Sequence, residues 1–138
     1  MLDGEIAFVL PSGLTSFKSL QDHIDTPHPA FRYYLFDLLS LDGKDWRKEK
    51  LIERKKRLYA LLTKKTLPDW LVYADHVVGF GPEFRRKACD AGLEGVVSKL
   101  TDSKYVSGRT KSWLKTKCQK RAELVIGGYC RSSVKERP

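Results

Sequence analysis

Apolar and polar positions follow two periods along the chain, and the change from one to the other marks its elements. Leu2 to Leu10 is an apolar, β-branched and aromatic run that stops at Pro11-Ser12-Gly13, the pattern of a strand followed by a turn. Thr15 or Ser16 is placed to cap a short helical piece through Phe17, Leu20 and Gln21, and Asp25 to Pro29 reads as an exposed loop. Phe31 to Leu39 predicts a stronger strand, and Leu41-Asp42-Gly43-Lys44 supplies a turn because Asp-Gly tolerates positive φ. From Lys48 to Leu62 the period becomes helical. Leu51, Ile52, Leu58, Leu61 and Leu62 gather on one side, and Glu53, Arg54, Lys55 and Lys56 are the polar residues.

Leu71 to Ala74 is a short strand, and Pro82 at a first helical position opens a helix that ends near Gly92, a residue suited to a C-terminal cap. Leu93 to Leu100 and Ser112 to Cys118 predict strands on either side of a polar loop. Glu123 to Tyr129 predicts another, and Arg131 to Pro138 is polar without periodicity. Short connections, several of hairpin type, join these elements without an internal repeat. The expected class is α+β, with mostly antiparallel sheets flanked by helices. At 138 residues the chain has the length of one domain with a real core.

Charge narrows the field of partners. Twenty-six basic side chains against 17 acidic ones leave a net charge of +9, which favours a polyanion because Lys and Arg that neutralise phosphates release counterions. A basic but merely solvated surface explains the same number, so charge alone does not choose nucleic acid. Cys89, Cys118 and Cys130 are widely spaced and form no C-x-x-C, which suggests reduced thiols rather than a disulfide framework or a zinc site. His23, His28 and His76 lack metal-ligand spacing and read as surface or loop residues. No apolar run approaches the ~20 residues that span a bilayer, so no membrane partner is expected and the chain reads as soluble and intracellular.

Four short stretches carry candidate chemistry. Lys115 and Lys117, two apart in a strand, project from the same face, where an anion between them would relieve their repulsion; a solvated face tolerates the pair as well. Glu94, ahead of Gly95 and Val96-Val97, suits a hard cation bridging to a phosphate, or a surface salt bridge. Phe36, before Asp37, could stack on a purine or pack in the core. Asp3-Gly4-Glu5 offers carboxylates for sugar hydroxyls or for capping a turn.

The order of these stretches is more specific than any one of them. D-G-E, YYLFDLL, E-G-V-V-S-K and S-W-L-K-T-K, in series, resemble motifs III, IIIa, IV and V of the covalent nucleotidyltransferases, the ATP-dependent ligases and mRNA capping enzymes. FDLLSLDGKD before an L-I-E-R-K helix, Y-x-S-G-R-x-x-x-W-L-K-x-K, and E-L-V-I-G-G-Y look like the ligase domain of bacterial end-joining DNA ligases. The resemblance implies a partial nucleotidyltransferase (ATP-grasp-like) fold over residues 1–121, with 122–138 as the first strand of an oligonucleotide-binding domain and a polar tail. It implies ATP and Mg²⁺ as cofactors and nicked or broken duplex DNA as partner, in the bacterial cytoplasm at the nucleoid. Phe36 becomes the adenine-stacking ring, Glu5 a ribose-side contact, Glu94 the carboxylate near the metal, and Lys115 and Lys117 phosphate contacts.

The family's nucleophile lies in K-x-D-G, upstream of motif III. Asp-Gly occurs here at Asp3-Gly4 and Asp42-Gly43, and the residues two before each Asp are Met1 and Ser40. The expectation is therefore a piece of a ligase that does not adenylylate itself. The alternatives are a non-catalytic nucleotide- or DNA-binding module, or one half of a split enzyme that meets a separate K-x-D-G segment or self-associates through uncovered sheet edges.

Overall fold

The computed structural model describes residues 1–64 and 66–118. The expected strand Glu123 to Tyr129 and the whole segment 122–138 lie outside the described residues. Within them run β1 (Leu2–Phe8), α1 (Phe17–His23), β2 (Phe31–Leu38), β3 (Ser40–Leu41), β4 (Lys44–Asp45), α2 (Leu51–Leu62), β5 (Leu71–Tyr73), α3 (Gly81–Asp90), β6 (Gly95–Lys99) and β7 (Trp113–Lys117). The class is α+β. A three-stranded sheet has the order β1-β2-β5, and β3-β4 and β6-β7 form two-stranded antiparallel pairs. β2 pairs antiparallel with β1 and parallel with β5.

Local chemistry explains the element ends. Ser16 caps α1 by accepting the Ser19 N–H at 3.1 Å. The β3-β4 hairpin turns through Asp42 and Gly43 at φ 50 and 77, the positive pair that a two-residue turn of that hand requires. Gly4 and Gly95 sit where backbones crowd. A Cβ on Gly4 would stand 2.6 Å from the Tyr34 carbonyl oxygen, and one on Gly95 would overlap the Thr116 carbonyl oxygen.

The core lies between α2 and β2, where Leu58 and Leu62 close on Leu35 and Leu38. Truncating any of these to alanine is expected to cost about 2–5 kcal/mol. Two of the helix residues read as polar from the sequence are buried: Arg54 is 0% exposed and Lys55 6%. The reason is positional. Arg54 follows Leu51 by three residues and precedes Leu58 by four, so it falls on the apolar stripe itself. The lysine stem runs into the same interior, and its ammonium donates to the Ala74 carbonyl at 2.9 Å beside the Tyr73 ring. Burial lowers the Lys55 pKa.

The cysteine expectation is also corrected. Cys89 and Cys118 form a disulfide with Cα atoms 5.4 Å apart, joining the last turn of α3 to the residue after β7. Spacing along the chain does not report this pair, because packing of α3 beside β6 brings the two ends together across 29 residues. Two histidines are less peripheral than their pattern suggested: His23 and His28 stack 5.1 and 4.7 Å from Phe8, whereas His76 is exposed. No helix among the described residues is long and apolar enough to cross a membrane.

Candidate functional site

The register of β6 against β7 sorts their side chains. Gly95 faces Lys117, Val97 faces Lys115 and Lys99 faces Trp113, so these residues share one side, while Val96, Thr116, Ser98 and Leu114 share the other. Lys115 and Lys117 therefore do project together, and Trp113 continues their row.

Phe36 joins that row from the other sheet. Asp3 pairs with Asp37 and Gly4 with Leu35, which leaves Phe36 as the extra residue of a β-bulge in β2. A bulge re-aims its side chain out of the regular pleat. The Phe36 ring meets Trp113 edge to face, with centroids 5.7 Å apart. Between them sits Lys99, whose ammonium is 3.8 Å from the Phe36 centroid and 3.6 Å from that of Trp113. Two aromatic faces hold the cation by their negative quadrupoles. Withdrawal from water pushes Lys99 down to about 8; the Asp37 and Asp3 carboxylates oppose that shift, and the charges of Lys55 and Arg54 add to it.

Beneath this cluster lies a buried brace. The Arg54 guanidinium donates to Asp37 Oδ1 and Oδ2 at 2.7 and 2.8 Å, and to the carbonyls of Glu49 and Ser103 at 2.6 and 3.0 Å. It thereby joins β2, the approach to α2 and the β6-β7 loop. Tyr105 on that loop donates its hydroxyl to Asp3 Oδ2 at 2.9 Å and places its ring 6.1 Å from Trp113. The Asp3-Gly4-Glu5 carboxylates lie within β1 and cap no turn.

At the other end of the β6-β7 face, Glu94 Oε1 stands 3.1 Å from Lys115 Nζ, with both side chains more than half exposed. Glu94 is thus a surface ion-pair partner just ahead of β6 rather than a carboxylate inside a buried strand. An exposed pair of this kind contributes at most about 1 kcal/mol, so an arriving anion can rearrange it. Lys117 and Glu94 line a depression of about 340 Å³ with Thr15, Phe17, Gly92 and Cys118. Glu5 stands apart: it is exposed opposite Tyr34 and makes no hydrogen bond or ion pair to the other four candidates among the described residues. The structure thus links Phe36, Lys115, Lys117 and Glu94 through one face, and leaves Glu5 outside those contacts.

Neither motif nor spacing in the sequence marks a role for Lys99, Trp113, Arg54 or Asp37. Lys99 and Trp113 stand inside the quoted E-G-V-V-S-K and S-W-L-K-T-K stretches, and only the strand register reveals that they meet.

A family profile described as the ATP dependent DNA ligase domain matches residues 1–117. The chain belongs to this family. The multifunctional non-homologous end joining protein LigD of Pseudomonas aeruginosa is 38% identical over 129 residues, which cover 93% of this chain and 15% of that protein. LigD of Mycolicibacterium smegmatis is 36% identical over 130 residues, 94% of this chain and 16% of its own length. A solved mycobacterial DNA ligase D, complexed with ATP and MES, superposes with a TM-score of 0.73 at 32% identity over 84% of this chain and 37% of that one. These likenesses mark an adenylation domain of the bacterial end-joining type, with a partial nucleotidyltransferase fold. The chain spans about a sixth of the length of these LigD relatives.

Proposed function

We propose that this chain is the part of an end-joining DNA ligase that holds the adenine nucleotide and its phosphates, and that by itself it forms no lysyl-AMP. The observation that carries this reading is the single face on which the Phe36–Lys99–Trp113 cluster continues into the Lys115 and Lys117 ammonium groups. An aromatic surface at one end suits a purine, and two cations at the other suit phosphate oxygens.

Phe36 stacks the base, Lys115 and Lys117 bind phosphate, and Glu5 contacts the ribose once nucleotide is present. Mg²⁺ suits the Glu94 position, because magnesium is commonly held by one or two carboxylates together with substrate phosphates. When bound, the metal would supply charge neutralisation on the phosphates; the chain's own residues bind and orient them. Nicked or broken duplex DNA is the partner that membership of the ligase family suggests, and a net charge of +9 is compatible with such a polyanion.

The missing step is the nucleophile. No Lys stands two residues before Asp3 or Asp42, and attack on the α-phosphorus needs an amine held about 3–3.5 Å away and aligned. Incubation with α-labelled ATP and Mg²⁺ tests this: the expected result is reversible nucleotide binding and no label surviving denaturation. A stable protein-bound label would overturn the reading.

Uncovered surface supports a second reading, in which a segment bearing K-x-D-G completes the domain. Among the described residues β1 is an edge strand of its sheet, and Ile6, Val97 and Leu114 are 55%, 52% and 59% exposed. Mixing with such a segment then restores nick sealing, and failure at high concentration counts against it.

A further inference from the structure

A second cationic cleft is lined in part by Tyr105, whose ring also neighbours Trp113 of the aromatic cluster. It has a volume of about 260 Å³ and is lined by Asp45, Arg47, Lys48, Lys104, Tyr105 and Ser107. Its two walls come from the stretch between β4 and α2 and from the β6-β7 loop, and main-chain bonds hold them together. The Tyr105 N–H donates to the Arg47 carbonyl at 2.9 Å, and the Leu51 and Ile52 N–H groups donate to the Ser103 and Thr101 carbonyls, both at 2.9 Å. Such walls are formed before any ligand arrives.

Three cations face one carboxylate in this cleft, and that carboxylate is already committed. Asp45 accepts the Arg47 N–H at 2.9 Å, Nε at 3.0 Å and Nη2 at 2.9 Å, which fixes the guanidinium on the wall. Lys48 and Lys104 are exposed and make no ion pair among the described residues. Ser107 adds a hydroxyl donor. The lining suits a tetrahedral oxyanion, and with Tyr105 turned toward Trp113 and no second ring in the lining it offers no slot for a base.

We infer that the Arg47–Lys48–Lys104–Ser107 cleft binds a backbone phosphate of a nucleic-acid strand, fixing the strand beside the nucleotide face through the shared Tyr105. This rests on the reading of duplex DNA as partner. Both sites carry phosphate chemistry, so the two sources, strand backbone and nucleotide polyphosphate, have to be separated by experiment.

The test uses the whole chain with Lys48→Ala plus Lys104→Ala, and a control with Lys18→Ala plus Lys64→Ala, exposed lysines outside the cleft. Binding to a nicked DNA duplex is measured across a salt series, and binding of ATP by calorimetry. The cleft variant is expected to lower the slope of log affinity against log salt by about 0.9, the share of one lost phosphate contact, with ATP affinity unchanged and a smaller change in the control. Equal slopes for the cleft variant and wild type would overturn the inference, as would equal losses in cleft variant and control. Loss of ATP affinity in the cleft variant would assign the cleft to the nucleotide instead and overturn it too. Absence of duplex binding by the wild-type chain would sink the parent reading rather than the cleft alone.

Discussion

Arg54 donates two hydrogen bonds to Asp37, 2.7 and 2.8 Å long, with both side chains wholly shielded from solvent. Asp37 follows Phe36 directly, so the ion pair fixes the strand at the bulge that aims the ring. Removing one partner leaves a buried charge without compensation. Arg54→Met is expected to cost about 3–5 kcal/mol in urea unfolding. Adding Asp37→Asn should recover part of that loss by removing the stranded charge. An Arg54→Met loss below about 1 kcal/mol would contradict this account of the brace.

Phe36→Ala is expected to weaken ATP binding by about 1–3 kcal/mol, the usual worth of one base-aromatic stack, and Phe36→Leu by less. Lys115→Ala separates the two halves of the face: affinity for ATP falls while affinity for adenosine holds. Calorimetry with the two ligands checks this, and parallel losses for both would mean that the substitution disturbs β7 as a whole.

Burial pushes the Lys99 pKa down from the usual lysine value to about 8. Its folded pKa lies under its unfolded one, so between about 8 and 10.5 the unfolded chain holds more protons at this site. Stability contributed by this group therefore rises with pH through that window and is penalised below it. Lys99→Met should flatten the pH dependence of unfolding there. Carbon-detected NMR of the lysine side chains should find one midpoint near 8, and a set of lysines all titrating above 10 would refute the burial argument.

The Cys89–Cys118 bond closes a loop of 29 residues. Loop-closure entropy for that length corresponds to roughly 3–4 kcal/mol. Reduction, or Cys89→Ser, should lower the thermal midpoint while leaving strand content intact, since β6 and β7 remain paired by their own ladder. Equal midpoints with and without reductant, once intact mass has shown the bond formed, would contradict this.

Much of the architecture was legible in the sequence because it depends on local pattern. The apolar run from Phe31 and the helical period from Leu51 to Leu62 mark β2 and α2, and Asp42-Gly43 marks the hairpin. The brace was not legible, because Arg54 and Lys55 look solvent-facing by residue type even though helical geometry turns them inward. The Phe36–Lys99–Trp113 contact depends on a one-residue bulge and on strand register, and neither leaves a compositional trace. The disulfide depends on long-range packing for the same reason. Two-residue spacing alone puts Lys115 and Lys117 on one side of β7, whereas the exposed ion pair of Glu94 with Lys115 depends on how β6 lies against β7.

The central claim is that one face, from Phe36 through Trp113 to Lys115 and Lys117, receives an adenine nucleotide. Residue-resolved NMR during an ATP titration tests it most directly. The account predicts shifts concentrated at Phe36, Lys99, Trp113, Lys115 and Lys117, saturating together. Saturating shifts confined to other parts of the chain, or no shifts at millimolar ATP, would contradict it.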